Sequence, residues 1–148
     1  MPSHRFSLAM AGSLLAALAF ATALPARAQT AQVAAISSAE TPKAYKVDAA
    51  RHIYRVYADK IFKGKLPPLV HAIVVLEVEL DASGQVRDIL MIRVPTHAPD
   101  VTAAVRKMIH AASPLPAPAH MGDTKFTEVW LVDKSGRFQL DTLTEGQL

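Results

Sequence analysis

From His71 to Leu80 the apolar side chains fall on every second residue, and this constrains the fold more than any other stretch of the chain. Val74, Leu76, Val78 and Leu80 point one way, and Ile73, Val75, Glu77 and Glu79 the other. One face is apolar throughout and the second turns polar towards its end. That pattern predicts a strand with one side on a core and one side wet, as in an antiparallel sheet. Asp81-Ala82-Ser83-Gly84 then supplies a turn, with glycine where positive φ is tolerated. Val86, Asp88, Leu90, Ile92 and Val94 alternate with Arg87, Ile89, Met91 and Arg93 as the return strand, so residues 71–94 read as a β-hairpin.

The segments on either side change to the helical period. Thr41-Pro42 offers an N-cap followed by proline in the first helical position, with Asp48 as a second cap candidate. Tyr45, Ala49, Ile53, Val56, Tyr57 and Ile61 recur at helical spacing before Gly64 and Pro67-Pro68 stop the pattern. Pro99 and Asp100 suit the first turn of a second helix, whose apolar face is Val101, Ala104, Val105, Met108 and Ala112. Pro114 ends it near Ala112. Period two returns in Phe126, Glu128, Trp130 and Val132, and after Asp133-Lys134-Ser135-Gly136 the stretch from Arg137 to Leu143 can pair back. The expected fold is α+β in the order α-β-β-α-β-(β), with two helices on one face of a three- to four-stranded antiparallel sheet.

The N-terminus has the three parts of a secretory signal. His4 and Arg5 precede an apolar run from Leu8 to Leu24, and Ala26-Arg27-Ala28 places small residues Ala26 and Ala28 before a cut at Gln29. This predicts a signal peptide at 1–28, a flexible leader at 29–41 and one domain at 42–148, working in the periplasm without a stable membrane anchor. If the signal were retained, it would instead be a membrane anchor. Removing Arg5 and Arg27 lowers the formal net charge from +3 to +1, which leaves no basic surface for nucleic acid. The chain has no cysteine, so it has neither a disulfide framework nor a thiolate site, and the domain must rest on its core.

The chemistry-bearing residues do not form a catalytic set. His52, His71, His97, His110 and His120 lack the helical pair or short cluster of a metal site. Glu77 and Glu79 share a strand face that reads as wet rather than as a pocket that would separate their roles. Ser83, Ser113 and Ser135 sit in turns or before proline, without a nucleophile elbow. The reading is a non-enzyme without cofactor or metal. The feature that points to a partner is Trp130, in a late strand that a neighbouring peptide can extend through backbone hydrogen bonds. Phe126, Glu128, Trp130 and Val132 are therefore the candidate contacts, with a core position for Trp130 as the other reading.

Taken together, these stretches resemble the TonB/TolA C-terminal domain family. Tyr45 to Ile61 is similar to its first helix, Val74 to Val86 to its glycine-turned hairpin, and Phe126 to Val132 to its final strand. The nearest likeness, to the TolA branch, is Val101 to Pro118, ending Ala111-Ala112-Ser113-Pro114-Leu115-Pro116-Ala117-Pro118. The resemblance implies a periplasmic domain that grips cell-envelope proteins or peptides, partly by strand addition. With the expected cut it would be a stand-alone version. The alternatives are a membrane-anchored transducer, if the signal is kept, and a periplasmic small-ligand binder with its site between helices and sheet.

Overall fold

The computed structural model describes residues 35–148. The expected signal and its cut at Ala26, Ala28 and Gln29 lie outside the described residues. The elements run β1 (Ile36–Ser37), α1 (Pro42–Val56), β2 (Ala72–Leu80), β3 (Val86–Arg93), α2 (Pro99–Ala112), β4 (Ala117–Pro118), β5 (Thr124–Val132) and β6 (Phe138–Leu140), closing with a 3-10 turn at Asp141–Leu143. The main sheet is antiparallel and four-stranded, in the order β3-β2-β5-β6. The fold is α+β, with the element order read from the sequence plus two short strands.

Both helices pack on one face of that sheet. Tyr45, Ala49 and Ile53 from α1 and Val105 and Ile109 from α2 join Val74, Leu76, Val78 and Leu80 of β2 in one buried cluster. On α2, Ile109 is buried while Ala104, expected on the apolar face, is exposed. Buried polar groups tie the layers together, as burial requires. The Tyr45 hydroxyl donates to the Pro116 carbonyl (2.7 Å), and the Tyr57 hydroxyl to that of Met108 (2.8 Å). His52 bonds the Ala112 carbonyl (2.9 Å) at the α2 C-terminus, where helical carbonyls lack partners.

Thr41 caps α1 as expected, its side chain accepting from the Ala44 amide. The helix ends at Val56, however, short of the apolar pattern that reaches Ile61. Ile61 lies beside Phe138 instead, with the Phe62 amide on the Phe138 carbonyl (2.9 Å) and the Phe138 amide on that of Lys60 (3.0 Å). These residues shield the outer edge of β6.

The stretch from Ala35 to Thr41, expected as part of a flexible leader, is laid along the domain. Its strand β1 pairs in parallel with β4, and Ser37 is buried with its hydroxyl on Asp48 (2.6 Å). The Ala117 amide donates to the Ala35 carbonyl (2.7 Å). This short ladder gives the small residues there a partner that their composition does not reveal.

Candidate partner-binding site

The four residues singled out for a partner are core residues. Phe126, Glu128, Trp130 and Val132 all face the helices and are at most 4 % exposed. Trp130 pairs with Val74 on one side and Leu140 on the other; β2 runs along all of β5, whereas β6 pairs with its last three residues, Trp130 to Val132. Its ring stacks on Phe138 at a centroid distance of 4.4 Å. With these four side chains buried against the helices, they are not exposed contacts for a partner, and Trp130 takes the core position that was the other reading.

Glu128 is the anomaly in that core. It lies under α1, with Lys46 Nζ 3.5 Å away and its own Val129 amide at 2.9 Å, while Oε2 has no hydrogen-bond partner. Burial pushes its carboxyl above the usual range, only partly offset by Thr142, the Val129 amide and Lys46.

The other edge of the sheet is different. Among the described residues no strand lies outside β3, and Leu90, Ile92 and Val94 are 58 %, 55 % and 45 % exposed. Leu90 pairs with Glu77 and Asp88 with Glu79, so these side chains lie on the sheet face away from the helices. The strict alternation expected for this strand is broken where the pairing with β2 shifts, at Arg87 and at Ile92, so Asp88, Leu90 and Arg93 share the outer face while Val86, Ile89 and Met91 share the inner one.

The centre of this edge is clasped. The Ile89 amide is taken by the Asp88 carboxylate (2.8 Å) and the Ile89 carbonyl by Arg106 of α2 (3.0 Å). Such side-chain occupation blunts an edge against indiscriminate pairing. It leaves Leu90 to Arg93, interrupted by the pairing shift at Ile92, without a strand on the outer side among the described residues, and exposed Val94 follows directly. An acidic patch with Glu77, Glu79 and Asp88 borders one end, where Lys125 holds Glu79 at 2.9 Å. At the other end is an open cleft of about 330 Å³, lined by His71, Ile73, Arg93, Val94, Pro95 and His97 among others.

The remaining histidines have ordinary places: His52 is in the core, and His110 and His120 are exposed. Among the described residues no three histidine or acidic side chains cluster as metal ligands, and no helix is long and apolar enough to cross a membrane. The chain matches no protein-family model, no curated protein and no solved structure.

Proposed function

We propose that this protein is a non-enzymatic periplasmic adaptor that holds an extended segment of a cell-envelope protein along the open half of β3. The observation that carries this reading is the asymmetry of the sheet. Residues 60–62 shield the β6 edge, whereas among the described residues β3 has no strand outside it, and Leu90 and Ile92 of β3 and the following Val94 are exposed to solvent. Exposed apolar side chains on an edge strand offer what strand addition needs: free backbone groups for affinity and alternate side chains for selectivity. The likeness to TonB/TolA C-terminal domains and the secretory pattern of the first 28 residues support the envelope address. A small-ligand site between helices and sheet draws less support, because Tyr45, Ile53, Leu76, Ile109 and Trp130 fill that space.

Photo-crosslinking in intact cells tests the proposal. A photoreactive residue at Leu90 or Ile92 should capture a discrete envelope protein, and one at Lys134, on the far turn, should not. Equal capture at all three positions, or none at β3, would remove the edge from consideration.

A further inference from the structure

Resting on that reading, we infer that the cleft at the end of β3 is a carboxylate site that receives the C-terminus of the bound segment. Three groups that carry or can acquire positive charge meet there: Arg93 from β3, His71 from the start of β2, and His97 from the loop before α2. The two imidazoles lie edge to face at a centroid distance of 5.5 Å. No carboxylate lines the cleft, and among the described residues Arg93 forms no ion pair or side-chain hydrogen bond. The nearest acid along this loop is Asp100, in the first turn of α2, and it is not part of the lining. An unpaired guanidinium beside two imidazoles suits a planar carboxylate. The apolar remainder, Ile73, Val94 and Pro95, suits the last side chain of a peptide.

The position fits as well as the charge. Arg93, the last residue of β3, and Val94 just after it both line the cleft, beyond the clasp at Ile89. A chain paired along Leu90 to Arg93 therefore reaches the cleft within a few residues. One of the two imidazoles has its orientation fixed by a backbone contact. A carbonyl can only accept, so the 2.7 Å contact with the His71 carbonyl makes Nε2 of His97 the donor.

The test is an NMR titration of the purified protein with two versions of a hexapeptide of alternating Thr and Val, one ending in a free carboxylate and one amidated. The free acid should shift the β3 amides together with the His71 and His97 ring signals. It should bind more than about tenfold tighter than the amide. Arg93→Gln, an exposed position, should abolish the advantage while the β3 shifts remain; Arg93→Lys should restore part of it. Equal affinity of the two peptides, with β3 still shifted, would overturn the carboxylate site and leave the edge reading intact. If neither peptide moves the β3 amides, both fall.

Discussion

Glu128 shows how a single residue can be misread when only its strand period is visible. Alternation says that Phe126, Glu128, Trp130 and Val132 share a face; it does not say that the face is inward, nor that β6 pairs with the end of the strand. A charged residue among them argues for solvent, and here that argument loses, because Lys46 and the Val129 amide partly compensate a buried carboxylate. The cost should appear in the pH dependence of stability. The folded-state pKa is raised, so the native protein holds a proton that the unfolded chain has released. Stability from this group is therefore full below the ordinary carboxylate range and is lost as pH rises through the folded-state pKa. Glu128→Gln should flatten that fall and stabilise the domain by about 1 kcal/mol at neutral pH, as urea melts across pH would report. Trp130→Ala should cost about 3–5 kcal/mol, the signature of a core aromatic rather than of a partner contact.

At the scale of elements, the hairpin, both helix starts and the end of α2 were legible because their signals are local: period, cap and proline. Gly84 shows how local that information can be and still be incomplete. It has φ +86°, as the turn demands, but a Cβ there would also meet the Leu115 carbonyl oxygen at 2.0 Å. Its own carbonyl accepts the Leu115 amide at 2.8 Å, so this turn is joined to the segment after α2. Gly84→Ala should therefore cost about 2–4 kcal/mol, more than conformation alone, read as a lower denaturant midpoint. The early end of α1 and the pairing of β1 were not legible, since each depends on a remote strand, β6 for Ile61 and β4 for Ile36. The clasp on β3 is likewise tertiary, because Arg106 reaches it from α2. Removing it with Asp88→Ala and Arg106→Ala exposes a longer edge, and sedimentation velocity should show more self-association than in the parent.

For the whole molecule, function rests on how unequally the two sheet edges are treated. The β6 edge is shielded by residues 60–62. The β3 edge is clasped at Ile89 and open from Leu90 to Val94, with acids at one end and the His71–Arg93–His97 cleft at the other. The period-two pattern missed the two pairing shifts in β3, nothing local distinguishes an outer strand from an inner one, and the more aromatic β5 drew the assignment. The most direct test is residue-resolved amide hydrogen exchange on the protein, alone and with the partner captured at Leu90. The account predicts slower exchange from Leu90 to Val94 and no change from Phe138 to Leu140. Slowed exchange confined to the helices or to β6, with β3 unaltered, would contradict it.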